Sequence, residues 1–270
     1  MKTIFQALAE IEQANQTAAL CTVVRSQGST PRHSSSKMIV YPDGSILGSV
    51  GGGEMEYRVI EEAQQAILDG HSRYLVYNLV DPQQGDPGVC GGEMEVYVEP
   101  ISSKPVIVVL GAGHVGKAVA ALAHWLGFWV AVWDDRPEFC NAAVLPDANR
   151  YVVCPIEELP NQLELNQQCY LALTTHGLDL DIQGLPYLLD KPVAYLGVIG
   201  SRRRWLTTRQ RLLEQGINPE LLNRISTPIG LDIKAETPEE IAVSILAEII
   251  MLRNGGHGGQ MKLQRDNEKT

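Results

Sequence analysis

Residues 106–135 read VIVVLGAGHVGKAVAALAHWLGFWVAVWDD. The apolar run Val106–Leu110 has the length and β-branched content of a buried strand. Gly111, Gly113 and Gly116 follow it at G-x-G-x-x-G spacing. In such a turn the first glycine permits the sharp reversal. The second lets a phosphate approach the backbone, and the third lets helix and strand pack closely. The segment after Gly113 has helical spacing, so its N-terminus offers free N–H groups and a positive dipole end to an anion. A second apolar run, FWVAVW, ends at Asp134, where a carboxylate is placed to accept hydrogen bonds from a ribose diol. Strand, glycine turn, helix, strand and acid in this order predict a Rossmann-type unit.

The pattern continues outward from that unit. RYVVC, YLALTT and VAYLGVIG are further short apolar runs separated by segments able to form helices. Such alternation predicts a parallel sheet with helices on its faces. The last helix is signalled by Thr237 as N-cap, Pro238 at the first helical position and Glu240 closing a capping box, and it runs to about Arg253. Residues 255–270 hold too few apolar side chains to pack and read as a disordered tail.

Before residue 104 the pattern differs. Ile4, Leu8 and Ile11 lie at helical spacing. AALCTVV reads as a strand, and KMIVY and SILGSV flank PDG as a hairpin. The pentapeptide GGEME occurs twice, at residues 52–56 and 91–95. After the first copy apolar residues recur with a helical period (Met55, Val59, Ala63, Ala66); after the second they alternate (Met94, Val96, Val98). One copy therefore opens a helix and the other a strand. EPISSKP, residues 99–105, reads as a linker. The fold class is thus α/β: a smaller α+β domain over residues 1–100 and a Rossmann-like domain over residues 104–254.

Composition excludes several functions. Among 270 residues, 44% are hydrophobic and 20% charged, with a formal net charge of −10 and no long block of Lys and Arg. Nucleic acid and anionic membrane are therefore poor partners. No apolar stretch approaches bilayer length, and Glu10 and Glu12 interrupt the region a signal peptide would need, so a cytoplasmic location is expected. Five scattered cysteines without a C-x-x-C argue against a disulfide framework or structural zinc.

Several residues are chemical candidates. Cys90, among glycines, has an uncrowded thiol able to meet a soft metal or exchange sulfur. Arg32 stands with Arg25 and Lys37 in a small-residue loop suited to an anion. Gly52 and Gly53 form a turn beside Glu56, whose carboxylate could accept a paired hydrogen bond from a pterin or guanine edge. His114 lies inside the Rossmann turn. Ser201 is placed to cap a helix on which Arg202 to Arg204 offer charge to a phosphate. His176, just past a predicted strand, is the candidate acid or base of an enzyme. Each has a plainer reading too: a polar turn, a core thiol, a solvated arginine face, a loop histidine.

With these residues in view the chain resembles the xanthine dehydrogenase accessory proteins, the XdhC/CoxI family. The resemblance rests on GSTPR, GSVGGG with Glu56, CGGEMEV, VLGAGHVGKAVA through WDDRPEF, THGLDLD, YLGVIGSRRR and PIGLDIKAETPEEIAVSILAEI. It spans about residues 26–250 in the family's order. It implies a chaperone that binds the molybdenum cofactor, supports its sulfuration with a cysteine desulfurase and delivers it to a molybdenum hydroxylase, and it implies a homodimer. On this reading a helix start at Gly113 or Ser201 holds the cofactor phosphate, and Cys90 approaches molybdenum. Many members carry Cys where this chain has Glu54 and Gly where it has Ser35. Two rival readings remain open at this level: an NAD-dependent oxidoreductase acting on a small polar substrate with His176 as acid or base, and a regulatory nucleotide-sensing module, with NAD(P) a possible cofactor of the Rossmann turn.

Overall fold

The computed structural model describes residues 2–28, 33–79 and 91–261. It divides into two compact units, Met1–Ser103 and Lys104–Thr270. Arg32, Cys90 and the end of the tail lie outside the described residues.

The first unit is α+β. Its antiparallel sheet holds β1 (Ala18–Gln27), β2 (Lys37–Val40), β3 (Ile46–Gly48), β4 (Arg73–Leu79) and β5 (Gly92–Ile101), in the spatial order β3-β2-β1-β5-β4. Helices α1 (Ile4–Gln13) and α2 (Gly53–Asp69) cover opposite faces. Strand alternation creates this arrangement. Ala19, Cys21 and Val23 of β1, with Met94, Val96 and Val98 of β5, pack against Met55, Val59, Ala63 and Ala66 of α2. The intervening Ala18, together with Ile39 of β2, packs against Ala7 and Ile11 of α1. Each large buried aliphatic contributes about 1.5–3 kcal/mol through removal from water. The PDG hairpin forms as expected, with Ser45 donating from its N–H and hydroxyl to Asp43.

One boundary differs from the sequence reading. Composition puts a linker at residues 99–105, but β5 continues through Ile101, which pairs with Ala18. Glu99, Pro100 and Ile101 find partners on β1, and that long-range pairing outweighs the loop-like composition.

The second unit is a parallel sheet of β6 (Val106–Leu110), β7 (Trp129–Trp133), β8 (Arg150–Val152), β9 (Cys169–Leu173) and β10 (Tyr195–Val198), ordered β10-β9-β6-β7-β8. This is the Rossmann order for a five-stranded sheet. On one face α3 (His114–Trp125) and α8 (Pro238–Arg253) pack over Ile107, Val109 and Val130. On the other, α5 (Leu178–Leu188) and α6 (Arg202–Glu214) cover Val108, Leu110 and Leu171, with the four-residue α4 (Leu159–Gln162) and α7 (Pro219–Leu222) beside them. Helix α8 starts with the expected capping box: Thr237 accepts from Glu240 N–H while Glu240 accepts from Thr237 N–H. Among the described residues no helix is long and apolar enough to cross a membrane.

Candidate functional site

In the parallel sheet β6 pairs with β7 on one side and β9 on the other. The chain therefore leaves β6 in one direction and later returns to its other flank. Ligands of such sheets bind beyond the C-terminal strand ends at this switch point. The turn after β6 and the loop after β9 meet there. Thr174 N–H donates to Leu110 O at 2.8 Å, and Thr174 Oγ1 donates to Gly111 O at 2.9 Å.

The three glycines of the turn serve different needs. Gly111 has φ +115°, and a Cβ there would lie 2.6 Å from Thr174 O. A Cβ on Gly116 would lie 1.8 Å from Gly111 O, so α3 and the turn interpenetrate at that point. Gly113 is different. Its φ of −70° suits any residue, and nothing of the protein lies within 4 Å of where its Cβ would be. A side chain at Gly113 would thus enter open space, and His114 is exposed beside it.

Asp134 directly follows β7, where the sequence placed it, but its carboxylate is buried and occupied. Oδ2 accepts from Ala112 N–H at 2.7 Å and Arg136 Nη2 at 3.0 Å; Oδ1 accepts from Arg136 N–H at 3.0 Å and Nε at 2.8 Å. Burial by itself would raise its pKa. The hydrogen bonds from Arg136 and Ala112 outweigh burial and hold it below the ordinary carboxylate value. The sequence reading does not single out Arg136, although its place two residues after the acid is a signal.

Beyond β9, His176 is exposed, with Nε2 3.9 Å from Asp135 Oδ1. Ser201 caps α6, accepting from Arg204 N–H at 3.2 Å. Arg202 and Arg203 are exposed, whereas Arg204 turns inward, away from the phosphate role its run suggested. Its Nη2 lies 2.6 Å from Asp181 Oδ2, and it also donates to Thr175 Oγ1 at 3.0 Å. Thr175 donates to the other Asp181 oxygen. Asp181 has no exposed surface, and burial raises its pKa despite these donors. Arg204 is drawn in because a buried carboxylate needs a counter-charge. A signal is present in the sequence: Leu178, Asp181, Leu185 and Leu188 share one helical stripe, so an acid stands on an apolar face.

In the first unit Glu56 folds back onto its own glycine turn. Oε2 accepts from Ser49 Oγ at 2.5 Å and from the N–H groups of Val50, Gly51 and Gly52 at 3.0, 3.3 and 3.2 Å. Gly52 and Gly53 have φ of +86° and +65°, a backbone that favours glycine and lets successive N–H groups converge. Burial opposes the charge, but these four donors together hold the Glu56 pKa below its usual value. A paired hydrogen bond to a pterin edge would share this carboxylate with the turn. In the second GGEME copy, Glu95 pairs with Arg25 and accepts from Tyr74. The β-ladder sets the two turns apart. Lys37, whose carbonyl accepts from Ser49 N–H at the first turn, pairs with Thr22, whereas Gln27 pairs with Glu93 at the second.

The thiols among the described residues are unactivated. Cys21, Cys140 and Cys169 are buried, and burial pushes the Cys21 thiol up to about 12. Cys140, Cys154 and Cys169 are also raised, first by burial. Among the described residues no group of three or more His, Cys, Asp or Glu could hold a metal ion.

Comparison with known proteins bears on both units. Residues 107–249 match the model of the XdhC Rossmann domain, and residues 11–78 match that of the XdhC and CoxI family. The chain is 36% identical over 263 residues to the uncharacterized protein YqeB of Escherichia coli, covering 96% of this chain and 48% of that protein. It is 33% identical over 158 residues to a probable xanthine dehydrogenase subunit of Bacillus subtilis, covering 58% and 46%. It therefore spans about half the length of these two relatives. Against the molybdenum cofactor insertion chaperone PaoD of E. coli it is 25% identical over 281 residues, covering 93% of this chain and 88% of that one.

Proposed function

The chain belongs to the XdhC and CoxI family, and from that premise we propose that it is an accessory protein that carries molybdenum cofactor to a molybdenum hydroxylase of the xanthine dehydrogenase type. The observation that carries this reading is the likeness to an insertion chaperone over nearly the whole of both chains. The name of the B. subtilis relative supports the class of client.

The cofactor is cargo here: a pterin bearing a phosphate and a dithiolene-bound molybdenum. The Gly113 turn fits the phosphate, because the space beside Gly113 is open and the first-turn N–H groups of α3 have no carbonyl one turn back. Gly111 and Gly116 shape that cradle, and His114, Ser201 and Arg202 are assigned to its rim. Glu56, on the turn formed by Gly52 and Gly53, is assigned to the pterin edge, and Arg32 to an anionic group. Cys90 is assigned to molybdenum or its sulfido ligand, which is where a cysteine desulfurase would act. Delivery requires no bond-making by this chain. It requires binding that shields the cargo and still releases it, and a homodimer is part of the proposal.

The test is purification of the full chain from cofactor-producing cells, release of bound ligand and oxidation to a fluorescent pterin. Alongside it, activation of a cofactor-free molybdenum hydroxylase is measured. Stoichiometric pterin and a rise in client activity are expected, with both reduced in Cys90→Ala. Absence of pterin together with an unactivated client would overturn the proposal.

A further inference from the structure

The pairing of Asp134 with Arg136 bears on what the Rossmann turn admits. In dinucleotide-binding folds the acid at the end of the second strand accepts hydrogen bonds from the adenosine ribose hydroxyls. An ionised carboxylate has about four acceptor positions. Here four N–H donors fill them, at 2.7–3.0 Å. The bond from Ala112 N–H comes from the turn itself and is compatible with a bound ribose. The other three all come from Arg136.

Arg136 is itself held. Its guanidinium lies 4.2 Å from the centroid of the Phe139 ring, and its Nε is 3.7 Å from Asp135 Oδ1. The Asp134 side chain is only 2% exposed, against 33% for Arg136. A ribose diol could reach the acid only by displacing the arginine, which breaks charge-assisted hydrogen bonds and strands a buried charge. A ribose 2′-phosphate fares no better, because the Arg136 charge is already matched by Asp134 and Asp135 stands beside it.

We infer that Arg136 is a specificity-determining residue that closes the Rossmann turn to NAD(P), so that the cradle at Gly113 accepts a phosphate with no adenosine ribose beside Asp134. The inference stands on the geometry of the turn and does not depend on the cofactor-carrier reading.

The probe is NADH, titrated into the full-length protein and followed by its fluorescence. Wild type shows no saturable binding up to millimolar NADH. Arg136→Ala uncovers the acid, and two regained hydrogen bonds to a charged group raise NADH affinity by at least about tenfold. Asp134→Asn combined with Arg136→Ala loses that gain. Arg136→Lys keeps the charge but lacks the planar fork, so it gives a smaller increase. Thermal melts and circular dichroism establish which variants fold. Saturable micromolar NADH binding by wild type overturns the inference. So does a failure of every folded Arg136 variant to gain affinity. Released pterin is read in a separate assay, so failure here and failure of the carrier reading are distinguishable.

Discussion

Gly113→Ala tests the cradle without disturbing the fold. The backbone there has φ −70° and ψ −171°, which alanine adopts freely, and the added methyl meets no protein atom within 4 Å. Alanine is a poorer N-cap than glycine, at a cost of about 0.5–1 kcal/mol. Restricting the unfolded chain returns about 0.4–1 kcal/mol. Stability should therefore stay within about 1 kcal/mol of wild type. The methyl would occupy the open space beside Gly113, where the proposed phosphate site lies. Hydrogen bonds to a charged group contribute about 1.5–3 kcal/mol each, so losing two weakens binding by about 3 kcal/mol or more. That corresponds to about 100-fold in affinity. The assay is pterin released per mole of purified protein, beside urea unfolding curves of both forms. Unchanged pterin content in a normally folded variant would refute the reasoning, since the phosphate would then bind elsewhere.

Three further predictions follow from other contacts. Gly116→Ala, in the same motif, puts a methyl 1.8 Å from Gly111 O; it should cost more than about 3 kcal/mol and appear as an insoluble or low-melting protein, and a normal melt would show that the turn can relax. For Glu56 the folded pKa lies below its ordinary value, so its hydrogen bonds add stability above the unfolded pKa of about 4.3 and lose it as pH falls through the folded pKa. Wild type should exceed Glu56→Gln by about 1–2 kcal/mol at pH 7 in urea unfolding and converge with it in acid; a constant gap across that range would contradict this. Arg204→Met leaves the fully buried Asp181 without its counter-charge and should cost about 3–5 kcal/mol at neutral pH. The Asp181 pKa is already raised by burial, so this loss should shrink as acid protonates the carboxylate. Adding Asp181→Leu should recover most of it; a double variant no better than the single would mean that the arginine acts elsewhere.

The order of strands and helices is legible in the sequence because it depends on local periodicity. The glycine spacing with its flanking strands suffices for the Rossmann turn, and Thr237, Pro238 and Glu240 suffice for the start of α8. The two GGEME copies separate into helix and strand by the apolar residues that follow them. The end of β5 is misread because Glu99 and Pro100 carry loop composition, and only pairing with β1 makes them strand. Of three consecutive arginines, the sequence does not show that Arg204 alone turns inward, because its partner is 23 residues away on another helix.

The chain by itself determined its family and its fold class and marked the turns and side chains that are candidates to meet a ligand, since these follow from spacing along one strand, turn or helix. The tertiary structure decided which of those residues are still available. Asp134 and Glu56 read as open acceptors, yet the fold fills both oxygens of Asp134 from Arg136 and Ala112 and engages one oxygen of Glu56 in its own glycine turn. The physical reason is that a carboxylate removed from water must find donors nearby, and which donors are near depends on how the chain returns upon itself.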